Sequence, residues 1–245
     1  MRYCFLKDRN KDPKIVLNDR YPSYLSFLIS EDMSGDIIIH EDNPAEADKT
    51  IEESDLIICL DFNAFHRTDN LEEPLKAAKC TKVLIDHHLF PDLQHFRVTF
   101  STQEISSASE LLFHILKAMP QCSGKASNLP MKAAEALMTG MTTDTNNFNN
   151  SVYPSTFNMA SELIAMGVDR DKILFNLFNQ FGENRLRLLG TMLKDLMRIT
   201  DDGVAYMVLD KETLQKYHVD EGDTEGFVNM PLSISNVRMS LLLKE

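Results

Sequence analysis

The four cysteines of this 245-residue chain, Cys4, Cys59, Cys80 and Cys122, form no CxxC pair and no framework spacing. That excludes a structural zinc knuckle and a disulfide scaffold, and predicts reduced thiols in a cytoplasmic compartment. No apolar run approaches the roughly 18 residues that a membrane span needs. The opening MRYCFLKDRNKD lacks the hydrophobic stretch of a signal peptide, so no membrane partner is expected. Positive charge is also scarce, with 25 lysines and arginines against 37 acidic residues and a net charge of -12. Proteins that grip duplex DNA draw their affinity from many basic contacts to phosphate. Duplex DNA is therefore an unsuitable partner, whereas a small anion held through metal ions stays compatible. Repeats and low-complexity tracts are absent.

What is present is a chain that is 43% hydrophobic, enough for a large domain with a real core. Short apolar runs alternate with amphipathic segments through the first half: KIVLND (14–19), DIIIHE (36–41), LIICLDF (56–62) and KVLIDHH (82–88). Runs so short and so rich in Ile, Val and Leu predict buried parallel strands. YPSYLSFL and NPAEADKTIEES read as helical connections, the second capped by Asn43 with Pro44 at its first position. The pattern is βαβ, which implies an α/β fold with a parallel sheet and flanking helices.

From about residue 104 the spacing turns helical, with helices expected over 106–118, 131–141, 155–166 and 169–180. Phe175, Phe178 and Phe181 fit core packing at helical spacing. GENRLRLLGTMLKDLMRI (182–199) reads as a linker helix on which Arg185 and Arg187 belong to a solvated face. VAYMVLD and VRMSLLLKE then read as strands around a short helix at KETLQKYHV, the start of a second, smaller α/β domain. The expected organisation is 1–181 as the main domain, 182–199 as the linker and 200–245 as the beginning of the second domain.

Asp61 closes one predicted strand, and Asp86, His87 and His88 close the next. Ligands of open parallel sheets bind beyond the carboxyl ends of the strands, so these side chains should converge on one rim. Asp144, in TGMTTDTNNF, is a third candidate for that rim. Carboxylate oxygen and imidazole nitrogen without thiolate suit manganese, with magnesium or zinc as alternatives. The duller readings are strand-end acids without a role, a histidine pair split between two faces, and a Thr/Asp helix cap at TTDT.

LDFN (60–63), IDHH (85–88) and TTDT (142–145) occur in the order of motifs II, III and IV of the DHH phosphoesterases, which the chain resembles. EISSASELLF (104–113), RLRLLG (185–190) and GDTEGFVNMPLSI (222–234) extend the likeness to essentially the whole chain, and it is closest to the oligoribonuclease and 3′-phosphoadenosine 5′-phosphate phosphatase branch. The resemblance implies a hydrolase of short RNA or small nucleotides that works with two Mn2+ ions. Asp61 would bridge both ions, and His87 and Asp144 would complete the second. His88 would act on the scissile phosphate, and Asp86 would orient the histidines. A homodimer is left open.

The family's first motif, of H-x-x-P-D-x-D type, has no match. HEDNPAEAD (40–48) imitates it, with His40, Asp42, Pro44 and Asp48, yet lacks a DxD after the proline and reads as a helix N-terminus. The resemblance implies that the chain begins after that motif and stops within the DHH-associated domain, before its glycine-rich segment. Asn146 stands where the family has glycine after TDT. A catalytically inactive relative that keeps the fold is the alternative expectation.

Overall fold

A computed structural model describes residues 2–218, 224 and 226–245. Met1, residues 219–223 and Glu225 lie outside them, and with these part of the GDTEGFV likeness and the end of KETLQKYHV. The described chain forms two compact units, Met1–Tyr21 with Leu25–Leu177, and Pro22–Tyr24 with Phe178–Glu245.

The first unit opens with helix α1 (Arg2–Lys7) and strand β1 (Ile15–Leu17), then α2 (Glu31–Ser34) and β2 (Ile37–Ile39). β1 and β2 pair in parallel. The buried Asp36 ties them to α1, because its carboxylate takes Lys7 at 2.8 Å, Lys14 at 2.5 Å and the Tyr3 hydroxyl at 2.5 Å. Next come α3 (Pro44–Glu53), β3 (Leu56–Leu60), α4 (Glu72–Ala77), β4 (Thr81–Asp86) and β5 (Val98–Ser101). These three strands form a second parallel sheet in the order β3-β4-β5. The four expected strands all form, divided between two sheets, and β5 is a strand the periodicity did not announce. Its four residues are exposed or half-buried, and an 11-residue connection without an α-helix leads to it from β4.

β4 is the hub. Leu84 packs on one face with Cys59 of β3, Ile51 of α3 and Leu75 of α4. Val83 and Ile85 alternate to the other face, where α5 (Ala108–Ala118) packs against the strand. α6 (Met131–Asp144) and α7 (Pro154–Ala165) pack with α5, and α8 (Arg170–Phe178) follows in the chain. α6 buries Ala133, Ala134, Leu137, Met138 and Met141 completely, the i, i+4 stripe of a helix enclosed on its core side. On α8 the buried stripe is Ile173 and Leu177, four residues apart. Phe175 and Phe178 fall off that stripe and are exposed, contrary to the expectation of core packing.

The second unit holds α9 (Glu183–Thr191), β6 (Arg198–Ile199), β7 (Val204–Leu209), α10 (Lys211–Lys216) and β8 (Met239–Lys244). The helix expected over 182–199 forms from Glu183 and stays helical to Leu196, although its last turn is not α-helical. After Thr191 the backbone widens into a turn closed by Met197 N–H on the Met192 carbonyl at 2.8 Å, and β6 then pairs antiparallel with β7. Sheet pairing overrides the helical period there. β7 pairs in parallel with β8. Leu188, Met192, Met207, Leu209 and Phe227 form the local core. Arg187 pairs with Glu183 at 2.6 Å, as a solvated helix face would. Arg185 instead lies over the Phe181 ring at 4.0 Å and the Phe227 ring at 4.7 Å, a cation between two aromatic faces. No helix among the described residues is long and apolar enough to cross a membrane.

One buried polar knot joins α5 to α7. Glu110 is fully enclosed, and one of its carboxylate oxygens accepts hydrogen bonds from Ser106 N–H at 3.1 Å, from the Ser106 hydroxyl and from the Thr156 hydroxyl at 2.8 Å. His114 Nε2 lies 3.7 Å from the other oxygen. Burial alone would raise the Glu110 pKa, but the nearby His114 and the side chains of Ser106, Ser155 and Thr156 outweigh it and bring it down to about 2. A carboxyl depressed in the folded state stabilises above its unfolded pKa, and that stabilisation drains away as pH falls through the folded value. Denaturant titrations are thus expected to show stability declining between pH 4.5 and 2, with Glu110 contributing up to about 3 kcal/mol of the loss. Glu110→Gln should be less stable at neutral pH and show a flatter acid limb.

Candidate metal centre

β3 and β4 run parallel with Leu60 opposite Ile85, so the residues that follow them emerge side by side. Asp61 is one of these. Its N–H continues the ladder to the Ile85 carbonyl at 3.1 Å, and its backbone then turns left-handed at φ 65°. Asp tolerates that conformation better than most residues because its short polar side chain can bond locally. The turn breaks the strand where its carboxylate is needed.

Asp86, the last residue of β4, is wholly buried. Its two oxygens hold the next turn: Oδ2 accepts His88 N–H at 3.1 Å, and Oδ1 lies 2.7 Å from His88 Nδ1. A carboxylate can only accept, so Nδ1 carries a proton and Nε2 is the ring nitrogen left for another partner. His87 points elsewhere. Its Nε2 lies 3.4 Å from Asp61 Oδ1 and 3.3 Å from Asp144 Oδ2. The two imidazoles meet edge to face, with centroids 4.8 Å apart.

Asp144 ends α6, where unpaired carbonyls make the local potential negative and disfavour a carboxylate. The backbone behind it is tightly folded. Thr145 donates its hydroxyl to the Met141 carbonyl at 2.8 Å and accepts Phe148 N–H at 3.0 Å, while Asn146, Asn147 and Phe148 are all left-handed. Asparagine at 146 meets a requirement that glycine would also meet. The Phe148 ring stacks on Phe157 at 5.3 Å, and Arg170 donates to the Asn147 side chain at 2.6 Å.

The electrostatics are those of a place built for positive charge. The His87 hydrogen bond holds the Asp61 pKa below the usual carboxylate range against the effect of burial. The same bond raises His87, with burial opposing and Asp144, Asp61 and Asp86 adding to the rise. Burial lifts Asp144, and nearby Asp61 adds to that lift while His87 counters it. Ligand atoms of Asp61, His87 and His88 all lie within 4.8 Å of one another, a spread one cation can bridge. Asp144 adjoins this group through His87. Oxygen and imidazole donors without thiolate fit a divalent ion such as manganese or magnesium, or zinc. In the loop just after Asp61, the buried Asn63 Oδ1 has no hydrogen-bond partner among the described residues. Such atoms are the exception in folded proteins and mark places where water or a ligand completes the set.

The structure therefore brings Asp61, His87, His88 and Asp144 to one rim and seats Asp86 beneath them. The imitation motif HEDNPAEAD is placed differently: it forms the turn after β2 and the start of α3. His40 pairs with Asp48 at 3.5 Å, and Asn43 accepts Glu46 N–H at 3.3 Å as the helix cap. Asn63 was not singled out by sequence reasoning, although it lies within LDFN. Its side chain donates to the Leu89 carbonyl at 2.7 Å, and its own carbonyl accepts Asp92 N–H at 2.8 Å, so the loop after β3 holds the loop after β4.

A family model described as DHH family, N-terminal domain, matches residues 3–141, more than half of the chain. The solved structure of an exopolyphosphatase-related protein from Bacteroides fragilis is 37% identical, with a TM-score of 0.88 over 99% of this chain and 69% of that one. A structure from Methanococcus jannaschii, described as a family II inorganic pyrophosphatase, is 17% identical over 66% of this chain and 56% of that one. Its TM-score of 0.40 is too low to support an argument. A search of curated proteins returned no match.

If Asp86 sets the His88 tautomer, Asp86→Asn should loosen the centre without dismantling it, because an amide offers His88 Nδ1 a donor as readily as an acceptor. Calorimetric Mn2+ affinity is expected to fall about 10- to 100-fold. Thermal unfolding of the variant should still show one cooperative transition for the first unit.

Proposed function

The chain belongs to the DHH family, and from that premise we propose that it is a metal-dependent phosphoesterase that releases mononucleotides or phosphate from short oligoribonucleotides or nucleotide bisphosphates. The observation that carries the reading is the convergence of Asp61, His87 and His88 within 4.8 Å at the mouths of β3 and β4. Asp61 and His87, with Asp144 beyond, would hold Mn2+ or a similar ion. A divalent ion there supplies charge neutralisation to the phosphate oxygens and acidifies water.

The side chains divide the remaining work. Asp61 offers carboxylate oxygen for one ion or, as the family resemblance implies, for two. Asp86 keeps His88 in a single orientation, with Nε2 as the free nitrogen. Through that nitrogen His88 would meet the ion or a phosphate oxygen of the substrate. The acidic chain favours small substrates, whose charge is met by the ion rather than by a basic groove.

A second reading draws on the exopolyphosphatase-related structure that the chain resembles: the same centre would then cleave phosphoanhydride chains that carry no base. One assay separates the two. Incubated with Mn2+, the protein should release mononucleotide from a 5′-phosphorylated diribonucleotide faster than phosphate from inorganic polyphosphate. A chelator should abolish the release, and Asp61→Ala should lower it by about 10²-fold or more, because several kcal/mol of charge stabilisation depend on the ion. Release that persists in chelator would refute a metal mechanism, and preferential polyphosphate cleavage would favour the second reading. A folded protein that binds Mn2+ but cleaves neither substrate would identify an inactive relative.

A further inference from the structure

Immediately after the two histidines, the chain exposes an aromatic ring that nothing in its own unit requires to be exposed. Phe90 is 87% exposed and sits at φ 57°, a left-handed conformation that a bulky residue without a polar side chain adopts only under constraint. Leu89 and Leu93 beside it are also more than half exposed. An ordinary loop would relax its backbone or bury the ring, and this one is prevented from doing either.

The constraint can be traced to named bonds. Asn63 takes the Leu89 carbonyl on one side of Phe90 and Asp92 N–H on the other. Asp92 caps the short turn Leu93–His95, accepting Gln94 N–H at 3.4 Å and the Gln94 side-chain amide at 3.0 Å. His95 then stacks on Phe65 at 5.0 Å, and Phe65 is buried in the core of the sheet. On the other flank, Asp86 pins His88. The loop is fixed at both ends, with Phe90 between the clamps.

We propose that Phe90 is the surface on which a base of the nucleotide substrate stacks. This rests on the nucleotide reading above. Phe90 follows His88 by two residues, so their Cα atoms are at most about 7 Å apart, a reach comparable to the separation of base and phosphate within one nucleotide. A ring carried on a backbone clamped at both ends offers an exposed π face, and stacking of this kind tolerates any base. Inorganic polyphosphate has nothing to place on it. The chain's net charge of -12 also leaves stacking as a route to affinity that does not depend on basic side chains.

The test compares 5′-phosphorylated diadenylate with its abasic counterpart on the full chain loaded with Mn2+. Phe90→Ala should raise KM for the diadenylate about five-fold or more, the loss of one base stack, with kcat within about two-fold of wild type. KM for the abasic substrate should not change, and Phe90→Tyr should behave as wild type. An unchanged KM for the diadenylate, or an equal rise for both substrates, overturns the proposal. So does an F90A variant that turns a dimer into monomers with no effect on either KM, which would make a second copy of the chain the occupant. Should wild type hydrolyse neither compound, the nucleotide-hydrolysis reading fails separately, and equilibrium binding decides the stacking. Wild type must then bind AMP more tightly than ribose 5-phosphate, and F90A must bind the two alike. Equal binding by wild type overturns the proposal.

Discussion

Parallel pairing of β3 with β4 is the constraint on which the rest of the molecule depends. With Leu60 opposite Ile85, the next residue of each strand reaches the same rim, and there the two strands part company. Asp61 leaves its strand through a left-handed turn, whereas Asp86 stays buried and uses both oxygens to steer the histidine turn above it. A slip of one residue would reverse the faces of every side chain on β4. Leu84 would leave the cluster around Ile51 and Leu75, and the carboxylate beneath His88 would leave the interior. Hydrophobic packing thus fixes the register, and the register places the donors.

The centre also draws on the helical layer. Asp144 comes from the end of α6, whose apolar stripe is enclosed by α5 and α7, so its position is set by packing some turns away from the rim. Beneath that layer the Glu110 knot joins the starts of α5 and α7. A buried carboxylate held by several donors is costly to disturb. It specifies where the two helices begin relative to each other.

Much of this was legible in the sequence, and for physical reasons. Apolar runs of strand length announced β1 to β4, and Asn43 before Pro44 announced the start of α3, because burial and capping leave strong local signatures. The rim residues were legible because strand ends are where parallel sheets present ligands. β5 was not, since Val98–Ser101 alternates apolar residues with Thr and Ser and so offers no apolar run to read. The last turn after α9, which is helical but not α-helical, was hidden because Leu188, Met192 and Leu196 keep a helical spacing through it. Phe175 and Phe178 misled for the converse reason: hydrophobic residues near helical spacing say nothing about which stripe the core will take, and α8 took Ile173 and Leu177. The clamp made by Asn63 joins residues 26 apart, a contact to which periodicity is blind.

The helix-free connection from β4 to β5 has a consequence for the protein as a colloid. It leaves β5 as an outer strand of its sheet, with no strand paired on its far side among the described residues and with Val98 and Phe100 about two-fifths exposed. Edges of this kind invite other chains to add to them. What opposes such encounters between copies is mutual repulsion, set by the net charge of -12 and effective over about 10 Å at 0.1 M salt. Added salt shortens the reach of that repulsion and so brings the exposed edge of one copy within range of another.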